Sequence, residues 1–174
     1  LSPAIEPEDA AELARLLSAQ PLQSVLPSPR VFKIGAAVEA EPLPVLTLIT
    51  RGALERQYDA KDWPGKSDQC LVVLRFDYGG KKFNRQTGTM RRELVDDEVR
   101  VYRRNLDFEK RMFAELLNQG LRRLPIPPVY DDSIILTLAG SDEAWQRFVD
   151  VNLDVLRDLG FVVIIDQSFR FRSV

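Results

Sequence analysis

The fold of this chain is decided by the stretch Cys70-Leu71-Val72-Val73-Leu74-Arg75-Phe76-Asp77-Tyr78-Gly79-Gly80. Its apolar opening run predicts the strongest strand of the chain. The glycine pair then predicts a tight hairpin, because a two-residue loop needs positive φ angles that glycine adopts easily. The returning strand is expected to begin at Lys81.

Further strands are predicted on both sides of this one. Their apolar runs begin at Val45, Val99, Ser133 and Phe161. Shorter strands are expected over 30–38 and 169–172. Residues 54–69 are polar and irregular, so a loop is predicted there.

Three helices are predicted from apolar residues that recur every three or four positions. The first covers 6–20 and stops at Pro21, and the second runs from its capping residue Asn105 to Gln119. The third begins after Ser141 and ends at Gly160. Its buried side should carry Trp145, Phe148, Val149, Leu153, Leu156 and Leu159.

Together these elements predict an α+β fold with a mixed, largely antiparallel sheet. Two main helices would pack on one face of the sheet, and an N-terminal helix would be added to them. The strands would begin at Val45, Cys70, Lys81, Val99, Ser133 and Phe161. We expect 1–41 to form the N-terminal helix and a Pro-rich connection, 42–174 to form the α+β domain, and both to make one compact unit.

Composition excludes several classes of function. The chain of 174 residues has no histidine and 1 cysteine, which removes His-based catalytic triads, most zinc sites and an intrachain disulfide. Its net charge of −2 and 45% hydrophobic residues are typical of an ordinary globular protein. No apolar run approaches the ~20 residues of a membrane span, so no membrane partner is expected. With one cysteine and no targeting segment, the cytoplasm is the expected location.

Three features carry residue types that support chemistry in other proteins. Residues 60–67, Ala-Lys-Asp-Trp-Pro-Gly-Lys-Ser, fit a relaxed phosphate-binding loop, but Pro64 has no N–H and a strand follows where a helix is needed. The acidic runs 96–98 and 131–132 are candidates for a magnesium or carboxylate site, although charged loops are usually solvated. Cys70 heads an apolar strand and is expected to be a small buried hydrophobe rather than a nucleophile.

The middle of the chain is basic. From Lys81 to Arg123, 12 lysine and arginine residues stand against 7 acidic ones, a local net charge of +5. Such a segment contacts nucleic-acid phosphates, docks on another protein, or is a solvated face with local ion pairs. The candidate contact residues are Lys81, Lys82, Arg85, Arg91, Arg92, Arg103 and Arg104.

Four motifs follow one another over 42–171. They are the strand Pro42-Leu43-Pro44-Val45-Leu46-Thr47-Leu48, the hairpin Leu74-Arg75-Phe76-Asp77-Tyr78-Gly79-Gly80, the helix end Gly120-Leu121, and the segment from Trp145 through Leu159-Gly160-Phe161-Val162-Val163 to Ile165-Asp166-Gln167-Ser168-Phe169-Arg170-Phe171. In order and spacing they resemble the accessory region that precedes the motor in bacterial Swi/Snf-type helicases.

The resemblance implies a non-catalytic, helicase-associated accessory domain of a bacterial Swi/Snf-related, DNA-dependent ATPase. It would position or regulate the motor lobes of the same parent chain and contact the backbone of duplex DNA. In that family ATP and Mg²⁺ bind in the motor, so no cofactor, metal or catalytic residue is expected in this chain. The alternatives are a stand-alone protein-interaction domain with no helicase link and a small enzyme with a carboxylate-based site.

Overall fold

The structure is a computed structural model, and it describes residues 15, 33–38, 41–58, 63, 65–81, 83, 88–125 and 133–172. Of the predicted helix over 6–20, only Arg15 lies within these residues. The chain divides into two compact units, one from 1–39 with 90–103 and one from 40–89 with 104–174. The expected boundary between 41 and 42 stays a prediction.

The secondary structure consists of eight strands and three helices in the described residues. In chain order they are β1 (Lys33–Val38), β2 (Leu43–Thr50), α1 (Arg51–Tyr58), β3 (Cys70–Asp77), β4 (Met90–Val95), β5 (Glu98–Arg103), α2 (Leu106–Asn118), β6 (Leu121–Arg123), β7 (Ile134–Leu138), α3 and β8 (Val162–Ile165). Helix α3 comprises Asp142–Arg147, a π-helical turn at Phe148–Asn152, and Leu153–Asp158.

The first unit contains a three-stranded sheet in the order β1-β5-β4. Strand β5 is parallel to β1 and antiparallel to β4. The strand predicted from Val99 therefore belongs to this small sheet, and its assignment to the main sheet was wrong. The turn between β4 and β5 places Asp96 and Asp97 at φ angles of 50° and 62°, a conformation that aspartate tolerates better than most residues.

The second unit contains a five-stranded sheet in the order β6-β7-β3-β2-β8. Strand β3 is central and antiparallel to both β2 and β7, while β8 is parallel to β2. Five consecutive residues from Cys70 are buried, as expected of a strand covered on both faces. The predicted α+β class and the mixed, largely antiparallel sheet are confirmed.

One face of this sheet is covered by α2 and α3, as predicted. Side chains that alternate along the strands pack there against Met112 and Leu116 of α2 and the apolar side of α3. The π-helical turn adds a residue to one turn of α3, and Phe148, Val149 and Leu153 are all buried there. Leu159 was predicted on the buried side, but it is 44% exposed, because α3 ends one residue before it.

The opposite face is covered in part by α1, in a segment for which a loop was predicted. Ala53 and Leu54 of α1 pack on Leu71 and Val73 of β3. The first N–H groups of the helix donate to loop carbonyls, Arg51 to Gln69 at 2.8 Å and Gly52 to Ser67 at 2.8 Å. A polar sequence is therefore helical here because burial and these caps outweigh its weak helical pattern.

The C-terminal segment does not form the predicted strand over 169–172. The backbone turns at Asp166, whose carboxylate accepts the Ser168 N–H at 2.8 Å, and Phe169 and Phe171 return to the core. Their alternation reflects this packing rather than a sheet edge. Among the described residues, no helix is both long and apolar enough to cross a membrane.

Candidate functional site

The Gly79–Gly80 turn is exposed and adjoins Lys81, one of the predicted contact residues. Both glycines have positive φ, 66° and 81°, as a two-residue loop requires. The Gly80 N–H donates to Asp77 Oδ1 at 2.6 Å and the Lys81 N–H to the Tyr78 carbonyl at 3.4 Å. Among the described residues, no atom lies within 4 Å of a Cβ atom placed at either glycine. Both glycines are exposed, and the prediction of a tight turn is confirmed.

Of the strand expected after the turn, the structure describes Lys81 and Phe83 alone. Lys81 pairs with Tyr78 as an isolated antiparallel bridge. Residues 82 and 84–87 lie outside the described residues, so the strand from Lys81 stays a prediction. The ring of Phe83 packs against Tyr78, with a distance of 4.8 Å between the two ring centroids.

Tyr78 anchors the turn to the start of α2. Its side chain is buried, its hydroxyl donates to Glu109 Oε1 at 2.6 Å, and the same oxygen accepts the Asn105 N–H at 2.8 Å. Burial is the largest cause that raises the pKa of Tyr78, and the hydrogen bond to Glu109 adds to it. The phenol therefore keeps its proton and acts as a fixed donor.

Arg104 completes this network. Its Nε and Nη2 donate to Glu109 Oε1 and Oε2 at 2.7 and 2.8 Å, a bidentate ion pair. The hydrogen bond to Glu109 raises the pKa of Arg104. This bidentate pairing fixes Glu109, which accepts the Tyr78 hydroxyl. Arg104 therefore helps to hold the base of the turn in place.

The other candidate basic residues divide between the two units. Lys81 lies in the five-stranded unit, and Arg91, Arg92 and Arg103 lie on β4 and β5 of the other. Arg92 and Arg103 are exposed, while Lys81 and Arg91 are partly buried. Lys81, Arg91 and Arg92 also have interaction partners within the chain. Lys82 and Arg85 lie outside the described residues.

A second feature is a cleft of about 460 Å³ beside the start of β3, and the sequence did not predict it. Arg170 lies in it, 2.7 Å from Asp142 Oδ1, and Trp145 and Cys70 also line it. No local sequence pattern predicts this cleft, because Arg170 reaches it only through the turn of the backbone at Asp166.

The chemistry available in the cleft is limited. Cys70 is 3% exposed, and burial raises the pKa of its thiol even though Arg170 hydrogen-bonds to it and acts in the opposite direction. A thiol that stays protonated is a poor nucleophile. Cys70 is thus the buried small hydrophobe that was predicted.

Of the remaining sequence candidates, the structure brings Lys66 to the cleft that Cys70 also lines. Gly65, Lys66 and Ser67 are exposed and lead into β3 rather than a helix, so they lack the context of a phosphate-binding loop. Asp96 and Asp97 form the β4–β5 turn, and 131–132 lies outside the described residues. No group of three or more metal-ligating side chains occurs among the residues that the structure describes.

The comparisons with known proteins give no relative. No protein-family model matches the chain, and no curated protein and no solved structure matches it.

Proposed function

We propose that this chain is a non-catalytic accessory domain of a bacterial Swi/Snf-related, DNA-dependent ATPase, and that it positions or regulates the motor lobes of its parent chain. The proposal is supported by the sequence resemblance described above. The strand at 42–48, the hairpin at 74–80 and the segment 145–171 all belong to the five-stranded unit. In this proposal the domain is cytoplasmic, holds no cofactor, and leaves ATP and Mg²⁺ to the motor.

The single observation that carries a contact role is the anchored glycine turn. Tyr78, Glu109 and Arg104 fix its base, while no atom of the described residues crowds the two glycines at its tip. A turn of this kind lets a partner approach the backbone closely. Lys81 stands at its end, and Lys82 and Arg85 follow in sequence.

We propose that these basic residues contact phosphates of duplex DNA. Nothing in the described turn resembles an element that reads base edges. Binding should therefore be insensitive to sequence and steeply dependent on salt, with a Kd on the order of 10⁻⁴ to 10⁻⁶ M at physiological salt.

The test replaces Lys81, Lys82 and Arg85 together by glutamate. Anisotropy on labelled duplex DNA at two salt concentrations measures binding, and the ATPase rate of the full-length parent measures regulation. In a matched control, glutamate replaces Arg122, Arg123 and Arg147. These three residues are exposed at other places of the same unit. Loss of DNA binding only in the turn variant supports a DNA contact. An altered ATPase rate with unchanged DNA binding supports docking on the motor, and no change in either overturns both roles.

A second candidate function is a stand-alone protein-interaction domain with no helicase link. Exposed apolar side chains favour it, among them Leu43 at 52% and Leu117 at 43% exposed. The two functions are separated by the full parent sequence, because only the first requires motor motifs elsewhere in that chain.

A further inference from the structure

The solvent side of α3, together with Leu159 directly after its end, carries an exposed apolar row. Val151, Val155 and Leu159 follow one another at intervals of four residues and are 56%, 42% and 44% exposed. Residues four apart are surface neighbours on a helix, so the three side chains form a continuous strip about 12 Å long. Single exposed apolar residues occur on every protein surface. Three that adjoin one another form a larger apolar patch, which is typical of an interaction site.

An acidic row runs beside the apolar one. Asp150, Asp154 and Asp158 also recur every four residues, and all three are exposed. Asp154 and Asp158 lie three positions after Val151 and Val155, a spacing that makes neighbours on a helix surface. We call these six residues the α3 outer face: Asp150, Val151, Asp154, Val155, Asp158 and Leu159.

Among the described residues, only part of the charge of this face is neutralised. Asp154 pairs with Arg157 at 2.7 Å, and Asp150 accepts a hydrogen bond from Gln146 at 3.1 Å. Among the described residues Asp158 has no hydrogen bond or ion pair. Over 142–158 the helix holds five acidic residues and two basic ones. The face therefore presents net negative charge directly beside apolar surface.

The strip is held rigidly from below. Leu153 and Leu156 are 1% and 0% exposed in the core. Asn152 lies in the π-helical turn, and its Nδ2 donates to Oε1 of Gln119 at 2.6 Å. Gln119 is the residue that follows α2. A partner that binds the outer face therefore meets a surface whose backbone is already ordered, which lowers the entropic cost of association.

We propose that the α3 outer face docks a basic amphipathic helix of a partner protein. The partner's apolar side chains would cover Val151, Val155 and Leu159, and its flanking lysines or arginines would face the aspartates. Apolar anchors at helical spacing with complementary charges beside them are the usual basis of helix-to-helix docking. The same aspartates repel DNA phosphates, so the inference does not rest on the proposed function and concerns a separate surface.

The test uses the whole chain and a synthetic probe. The probe is an 18-residue fluorescent peptide with leucine on one helical face and lysine on the other, and its counterpart carries glutamate in place of lysine. Anisotropy should show binding of the lysine peptide alone. Changing Val151, Val155 and Leu159 to serine should weaken it roughly tenfold or more at any salt. Changing the three aspartates to asparagine should weaken it by a similar factor at low salt only, because screening already removes the charge attraction at high salt.

The matched control is the double variant Val162→Ser and Ile164→Ser, since these side chains are 43% and 48% exposed on β8. It should bind the lysine peptide as the unmodified chain does. Equal binding of all variants, or none by the unmodified chain, overturns the proposal. Sedimentation gives the third outcome: a dimer of the chain that the serine variant abolishes would show that a second copy occupies the face, which also overturns it. Circular dichroism confirms that each variant is folded.

Discussion

The Tyr78 hydroxyl is the atom at which the glycine turn, the start of α2 and the Glu109–Arg104 ion pair meet. We predict that Tyr78→Phe lowers the free energy of unfolding by about 1–2 kcal/mol, because the Asn105 N–H and Glu109 each lose a partner in a mainly buried place. Urea denaturation followed by circular dichroism measures this change.

A double-mutant cycle with Glu109→Ala separates the network from simple loss of a hydroxyl. The two changes should be coupled by about 1 kcal/mol, since each removes one partner of the same hydrogen bond. Additive effects would mean that Tyr78 and Glu109 act independently, contrary to the 2.6 Å contact between them.

Trp145 is the aromatic centre of the core beneath α3. It is 5% exposed, and its ring meets those of Phe148, Phe169 and Phe171 at centroid distances of 5.9, 5.7 and 6.4 Å. Trp145→Ala should cost about 3–5 kcal/mol of unfolding free energy, because it leaves a large cavity. The exposed control Val151→Ala should stay within about 0.5 kcal/mol of the unmodified protein. A stable, soluble Trp145→Ala variant would place the indole outside the core.

At the scale of an element, the turn after β8 decides where the C-terminal segment goes. Hydrogen bonds from the backbone and side chain of Ser168 lower the pKa of Asp166 below its ordinary value of 3.8. The ionised carboxylate therefore stabilises the folded state above that value, and this stabilisation is lost as the pH falls through the lowered pKa.

We predict that Asp166→Asn removes this part of the acid dependence. Melting temperatures measured from neutral pH down to about pH 2 should fall less steeply for the variant than for the unmodified protein. The variant Ser168→Ala removes one of the hydrogen bonds to this carboxylate and should also make the slope less steep, but by a smaller amount. Parallel curves for Asp166→Asn and the unmodified protein would contradict the role of this carboxylate.

Element prediction succeeded where local patterns were strong. Apolar runs predicted the positions of four strands, β2, β3, β7 and β8. Helical periodicity predicted the positions of α2 and α3. Asn105 caps α2 as predicted, its Oδ1 accepting the Phe108 N–H at 3.1 Å. In contrast, α1 was missed because its polar sequence becomes helical through burial of one side, and β4 and β6 because charged or short strands depend on their neighbours for pairing.

For the whole molecule, the two units suggest a physical division of the chain. The segment Met90–Arg103 leaves and rejoins the five-stranded unit at neighbouring positions, since the Arg104 N–H donates to the Thr89 carbonyl at 2.9 Å. We predict that residues 40–89 joined by a short Gly-Ser linker to 104–174 fold with a single cooperative transition, because this unit has its own core. Thermal melting followed by near-ultraviolet circular dichroism tests this.

The control for that experiment is the same shortened chain with Trp145→Ala, which should lose the cooperative transition. A shortened chain that melts without cooperativity even when intact would show that the five-stranded unit needs the other one.

The sequence predicts the glycine turn of the candidate site but not the side chains that anchor it. The glycine pair predicts the turn from backbone conformation alone. Its anchor joins Tyr78 to Glu109, 31 positions apart, and such a pairing depends on how α2 packs on the sheet. The cleft beside Cys70 was missed for the same reason, as Arg170 reaches it only through the fold.

The burial of the single cysteine on the central strand has a practical consequence. Cys70 is 3% exposed where it lines the cleft at the start of β3, so a water-soluble thiol reagent modifies it at a rate that follows local opening at this end of the strand. Because no other thiol is present, the unaltered protein reports this opening without any engineered label. Modification rates measured along a denaturant series would then separate opening of the central strand alone from unfolding of the entire unit.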